Sequence, residues 1–227
     1  MSLRGHIYPK FELSLENKRQ SSVNSSADTS YSFEESGIVV IGASTGGTEA
    51  IKNVLLGMPD NSPPIVVAQH IPEQFSKAFA DRLNSMCGIY VKEAEQGDVL
   101  NPGVCYIAPG GKNMSLVEED GETSVHVTDA DVGSNHRPCI DFLFNSVANL
   151  SKRAVGVILT GMGSDGARGL LAMRKSGCFT IGQSKETCVV YGMPKVANEL
   201  GALDKVSDLE DISKEICEHI KILMRAS

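Results

Sequence analysis

From Gly37 onward the apolar positions fall into alternating short runs and amphipathic stretches. Ile38-Val39-Val40-Ile41-Gly42 is a continuous β-branched run, the pattern of a strand buried on both faces. A helix is predicted over 48–58, closed by Gly57 and Pro59, then a strand over 64–69. A second helix over 73–87 carries Phe75, Phe79 and Leu83 on one face. Residues 103–108 form a further strand. Around Glu119-Asp120-Gly121 apolar and polar residues alternate on either side of an Asp-Gly pair, which predicts a β-hairpin. Ile140, Leu143, Phe144 and Val147 mark a helix. A buried strand is predicted over 154–159, a helix over 166–176, a strand over 179–182, a short helix over 195–200 and a closing helix over 209–224. This order predicts an α/β fold: a doubly wound, mostly parallel sheet with helices on both faces and one antiparallel hairpin.

Residues 1–36 break the pattern. The stretch Ser21-Ser22-Val23-Asn24-Ser25-Ser26-Ala27-Asp28-Thr29-Ser30 is polar and Ser-rich with no hydrophobic period, which is the composition of a linker or tail. The expected organisation is therefore a segment 1–36 followed by one catalytic-sized domain over 37–227.

Composition narrows the function classes. Of 227 residues, 41% are hydrophobic and 22% charged, ordinary for a soluble globular chain. A formal net charge of -7 gives no basic face, so nucleic acid is not an expected partner. No apolar run approaches 18 residues, so no membrane insertion is expected, and the first residues lack the apolar stretch of a signal peptide. Cys87, Cys105, Cys139, Cys178, Cys188 and Cys217 lie far apart with no CxxC pair. Buried free thiols in a reducing cytoplasm are the expectation. His126 and His136 have no companions at ligand spacing, so no metal is expected, and His126 reads as a hairpin residue.

In open parallel sheets, sites form at the carboxyl ends of the strands. Three predicted strand ends carry reactive side chains. The first leads into Gly42-Ala43-Ser44-Thr45-Gly46-Gly47, a serine at a tight glycine-rich strand-to-helix turn. The second ends in Ala68-Gln69-His70, and the third runs into Thr160-Gly161-Met162-Gly163-Ser164-Asp165-Gly166. Each residue alone has a plain structural role to play. Ser44 suits a helix N-cap or a phosphate contact, His70 a strand-end residue, and Asp165 the N-cap of the helix that follows it. Together they supply a nucleophile, a base and an acid on one face of the sheet.

The Gly42-x-Ser44-x-Gly46 spacing also fits the α/β-hydrolase elbow, but there the acid precedes the histidine. Here His219, in the closing helix, is the only histidine after Asp165, so the order is Ser, His, Asp. The non-enzymatic rival is a Rossmann-like nucleotide- or phosphate-binding module using the same loop. It lacks the G-x-G-x-x-G spacing, since position 44 is serine, and has His70 where an acidic residue belongs.

Seven segments in order, GASTGGTEAI, QHIP, VKEAEQGD, YIAPGGKNM, HRPCIDFLF, AVGVILTGMGSDGA and CVVYGMPK, resemble the catalytic domain of chemotaxis protein-glutamate methylesterases. The resemblance runs from about Gly37 to Ile220. It implies a triad of Ser44, His70 and Asp165, a serine esterase acting on glutamate methyl esters of methyl-accepting chemotaxis receptors, deamidation of receptor glutamines by the same chemistry, and no cofactor. Family members usually carry a phosphorylatable receiver domain ahead of the linker, and no such domain is expected within these residues. The N–H of Thr45, after the nucleophile, is the expected first oxyanion donor. A second is expected from the Gly161-Met162-Gly163 turn, at Met162. His136-Arg137-Pro138 either contacts substrate or simply opens the following helix; the residues alone do not choose.

Overall fold

The computed structural model describes residues 37–150 and 153–225. The linker expected over 1–36 lies outside the described residues.

Among the described residues nine strands and six helices follow in the order β1 (Ile38–Ala43), α1 (Gly47–Leu56), β2 (Ile65–Gln69), α2 (Glu73–Met86), β3 (Tyr90–Glu93), β4 (Val104–Ile107), β5 (Asn113–Glu119), β6 (Glu122–Thr128), α3 (Ile140–Leu150), β7 (Ala154–Ile158), α4 (Ala167–Lys175), β8 (Phe179–Gln183), α5 (Met193–Glu199), β9 (Lys205–Ser207) and α6 (Ile212–Arg225). Seven strands form one wholly parallel sheet ordered β3-β4-β2-β1-β7-β8-β9. Every residue of β1, β2 and β7 is buried, as the unbroken Val/Ile runs require of strands covered on both faces. Val39, Ile41, Val67 and Val157 point into the larger core beneath α1, α2 and α6, closed by Ile51, Leu55, Leu83 and Ile216. On the opposite face α3 and α4 pack over β1 and β7 with Leu143, Phe144, Leu170 and Met173 buried.

The antiparallel hairpin is a sheet of its own, β5 paired with β6 from Asn113↔Thr128 to Glu119↔Glu122. Its two-residue turn has Asp120 at φ 53 and Gly121 at φ 83, the left-handed pair that makes Asp-Gly a tight-hairpin sequence.

Two strands are absent from the sequence-based expectation, β3 and β9. Both are edges of the large sheet, short and only partly buried, so neither carries a long apolar run. Helix ends also shift by a residue or more: α5 begins at Met193, two residues earlier than expected, with Pro194 in its first turn, where a missing N–H is harmless.

β1 stands at the point where strand order reverses, with β2 on one side and β7 on the other. The chain therefore opens a crevice at the carboxyl ends of these three strands.

Candidate active site

The parallel ladder continues past the strand ends. His70 N–H donates to Ala43 O at 3.0 Å, Leu159 N–H to Gly42 O at 2.9 Å, and Ser44 N–H to Thr160 O at 3.0 Å. Ser44 therefore leaves β1 held between the chain emerging from β2 and the chain emerging from β7.

The elbow after Ser44 turns on two glycines. Gly46 sits at φ 80 as the N-cap of α1, a left-handed position that favours glycine, and a Cβ there would also meet Val189 Cβ at 2.6 Å. At Gly47 a Cβ would collide with Gln69 Oε1. Ser44 is thus not the helix cap, and its hydroxyl is free for another partner. That partner is His70 Nδ1, 3.1 Å from Ser44 Oγ. The other ring nitrogen, Nε2, donates to Asp165 Oδ2 at 2.7 Å. A carboxylate on Nε2 fixes the tautomer with its proton there, so Nδ1 presents a lone pair to the serine hydroxyl. The ring runs in the reverse sense to the serine-protease arrangement, in which Nε2 faces the nucleophile.

Asp165 also departs from its default role. Gly166, at φ 89, is the N-cap of α4 with no side-chain cap. The Asp165 carboxylate turns to a different helix, accepting Ile140 N–H on Oδ2 and Asp141 N–H on Oδ1, both at 2.9 Å, at the start of α3. The Cys139 thiol adds a longer contact to Oδ1 at 3.5 Å. Burial works to raise the Asp165 pKa, but the hydrogen bonds from His70, Ile140 and Asp141 outweigh it and hold the carboxyl below its ordinary range. The side chains of His70 and Asp165 are each only 10% exposed, so the ionised acid faces its base away from bulk water.

Several residues left without a role by sequence reasoning hold this geometry. Buried Gln69 donates from Nε2 to Ser44 O at 2.9 Å and to His70 O at 3.0 Å, tying the Ser44 turn to the His70 turn. Thr160 Oγ1 donates to Thr45 O at 3.0 Å and accepts Val190 N–H at 2.9 Å. Gln183 Oε1 accepts Thr160 N–H at 2.8 Å. The signal for Gln69 was its place in QHIP beside His70, but nothing in the sequence says that its amide turns back toward Ser44. The His136 ring is stacked on that of His70 with centroids 4.1 Å apart and planes at 17°.

Thr45 and Met162 flank Ser44, Thr45 by sequence and Met162 through Gly161, where a Cβ would meet Ser44 Cβ at 2.7 Å. Among the described residues no protein group takes the N–H of either. His219 is remote from this cluster in role and place. It stacks on Phe179 with centroids 4.0 Å apart, and burial lowers its pKa. His126 lies half-buried in β6. Among the described residues no group of three His, Cys, Asp or Glu side chains could hold a metal ion. The phosphate-loop reading is also weakened by geometry: the N–H of Ser44 and that of Gly47 are spent on Thr160 O and Ser44 O, so they cannot line an anion cradle.

The model of the CheB methylesterase family matches residues 39–216. The chain belongs to the CheB methylesterase family. It is 49% identical over 184 residues to a protein-glutamate methylesterase/protein-glutamine glutaminase of Photorhabdus laumondii, covering 81% of this chain and 53% of that one. A protein of the same name from Salmonella typhi is 47% identical over the same shares. This chain thus spans about half the length of the curated relatives it matches. The crystal structure of the Thermotoga maritima CheB methylesterase catalytic domain matches with a TM-score of 0.78 and 40% identity, over 82% of this chain and 98% of that one. The CheB-type fold is therefore shared along the whole of that domain.

All six cysteines are free thiols, with Cys87, Cys105, Cys139 and Cys178 buried. Among the described residues no helix is long and apolar enough to cross a membrane.

Proposed function

We propose that this chain is a serine esterase that hydrolyses glutamate methyl esters on chemotaxis receptors, with Ser44 as nucleophile, His70 as base and Asp165 as the orienting acid. The carrying observation is the unbroken line from Ser44 Oγ through both nitrogens of His70 to a buried carboxylate, 3.1 Å and 2.7 Å long. The names of the relatives support the substrate class.

Ser44 Oγ attacks the ester carbonyl as its proton passes to His70 Nδ1. Asp165 stabilises the imidazolium from Nε2 and remains ionised throughout. The tetrahedral oxyanion is received by the N–H groups of Thr45 and Met162, fixed dipoles that need no reorganisation. As the intermediate collapses, Nδ1–H protonates the departing methoxide and methanol leaves. Water then enters, gives a proton to Nδ1 and attacks the acyl-enzyme carbonyl. The second intermediate releases glutamate and returns the proton to Ser44. A glutamine side chain follows the same course with ammonia leaving, which matches the second activity in the relatives' names. Free thiols throughout fit action in the reducing cytoplasm.

The test is methanol release from methylated receptor by the unmodified chain and by Ser44→Ala. The variant is expected to keep its melting temperature and lose at least about a thousandfold in rate, as triad knock-outs do. Equal rates would end the esterase reading.

A further inference from the structure

His70 is gripped at both ring nitrogens, but those bonds lie in the plane of the imidazole. They do little to stop the ring from tilting out of the line between Ser44 and Asp165. One flat face carries a second ring: His136, 4.1 Å away centroid to centroid and within 17° of parallel. We propose that His136 is a positioning residue, holding the His70 ring in the plane that joins Ser44 to Asp165 and covering that face against water. The inference rests on the esterase reading above and assigns a task to the His-Arg-Pro segment.

The segment is built to hold that ring. His136 is exposed, and among the described residues its imidazole has no hydrogen bond or ion pair of its own. The backbone around it is tied down instead. His136 N–H donates to Ser134 Oγ at 3.1 Å, Gly111 N–H to Arg137 O at 3.1 Å, and Cys139 N–H to Asn113 Oδ1 at 2.9 Å. Asn113 is fully buried and also donates from Nδ2 to Ala130 O at 3.0 Å. Four residues after His136 the same segment enters α3, whose first N–H groups hold Asp165. One anchored stretch of chain thus braces the base from its face and the acid from its oxygens. During turnover the imidazolium must pass its proton from the side of Ser44 to the leaving oxygen. A stacked ring allows small in-plane slides and resists tilting.

The experiment compares His136→Ala and His136→Phe in the full chain, with Ser44→Ala as the inactive reference, by methanol release from methylated receptor at varied receptor concentration. A ring pair of this kind is worth about 2- to 10-fold in rate. The expected result is a kcat about 3- to 10-fold lower for His136→Ala, with KM within about twofold, and recovery of most of that loss in His136→Phe, which keeps a flat ring but no titratable group. Because His136 is exposed, both variants are expected to melt like the unmodified chain. An unchanged kcat in His136→Ala overturns the inference. So does a raised KM with kcat intact, which would make His136 a substrate contact, or a His136→Phe as slow as His136→Ala, which would make proton transfer its task. In all three cases the unmodified chain still outruns Ser44→Ala, whereas failure of the esterase reading abolishes that difference.

Discussion

The Asp165 carboxylate caps α3, the helix that carries Asp141, while the Asp141 carboxylate caps α4, the helix that Asp165 precedes. Asp165 accepts Ile140 and Asp141 N–H at 2.9 Å, and Asp141 Oδ1 accepts Gly169 N–H at 2.7 Å. Each acid satisfies N–H groups that have no partner within their own helix, so the two helices are locked together at the end that faces the site. The orientation of the Asp165 carboxylate is thereby a property of a helix pair rather than of one loop.

Removing the reciprocal cap is expected to reach the site without touching it. Asp141→Ala leaves Gly169 N–H unpartnered, a loss of about 0.5–2 kcal/mol for a capping acceptor, and loosens α3 beneath Asp165. Thermal unfolding and methanol release in parallel check this. A full-rate enzyme with a lowered melting temperature would show that α3 holds Asp165 without help from Asp141.

The two carboxyls are shifted in opposite directions, so their contributions to stability depend oppositely on pH. Asp165 is held below its ordinary value of 3.8: burial raises it, but the bonds from His70, Ile140 and Asp141 prevail. Its folded state binds the proton less tightly than the unfolded chain does. The stability this confers is fully present above about pH 4 and is lost as pH falls through the lower folded value. Asp141 is raised, chiefly by burial, so its ionisation weighs against the fold as pH rises through its folded value. At neutral pH, Asp165→Asn is therefore expected to lower the melting temperature more than Asp141→Asn, which keeps an acceptor for Gly169. On acidification below pH 4 the Asp165→Asn deficit is expected to shrink. Melting curves from pH 3 to 7 decide it; a deficit that grows in acid would reverse the assignment.

Gly161 lies against Ser44. A Cβ there would meet Ser44 Cβ at 2.7 Å and run into Met193 Sδ. The methionine end can move, but Ser44 is fixed by its N–H to Thr160 O. Gly161→Ala is expected to displace Ser44, the proposed nucleophile, and lower kcat about 10- to 100-fold, the scale of a misplacement near 1 Å. An unchanged kcat would mean that the Met193 side chain absorbs the whole clash.

Gln69→Met keeps the side chain's length and removes both donor bonds of its amide. Ser44 O retains Gly47 N–H, whereas His70 O loses the partner that Gln69 supplies. A stability loss of about 1–3 kcal/mol is expected for a carbonyl left unpaired, together with a lower kcat at temperatures well below melting. Loss of stability alone, at full kcat, would limit Gln69 to a structural tie.

Much of this molecule was legible in one dimension. The runs 38–42 and 154–159 read as buried strands because β-branched residues unbroken by polar ones suit only a strand covered on both faces, and Asp120-Gly121 read as a turn because those residues tolerate positive φ. The convergence of Ser44, His70 and Asp165 was legible too, since alternation of strand and helix brings strand ends to one side of a parallel sheet whatever the side chains do. The edges β3 and β9 escaped because a strand of three or four partly polar residues is defined by the neighbour it pairs with, and that neighbour is distant in sequence. The same reason separates the roles of the site residues. Ser44 and Asp165 each precede a helix, and propensity alone assigns both to caps. Only the packed structure gives the caps to Gly46 and Gly166, turns Ser44 to His70, and sends the Asp165 carboxylate across to α3. The sense of the His70 ring, the amide of Gln69 and the ring of His136 depend likewise on which groups long-range packing places within 3 to 4 Å, and no local pattern encodes a contact between segments 25 to 95 residues apart.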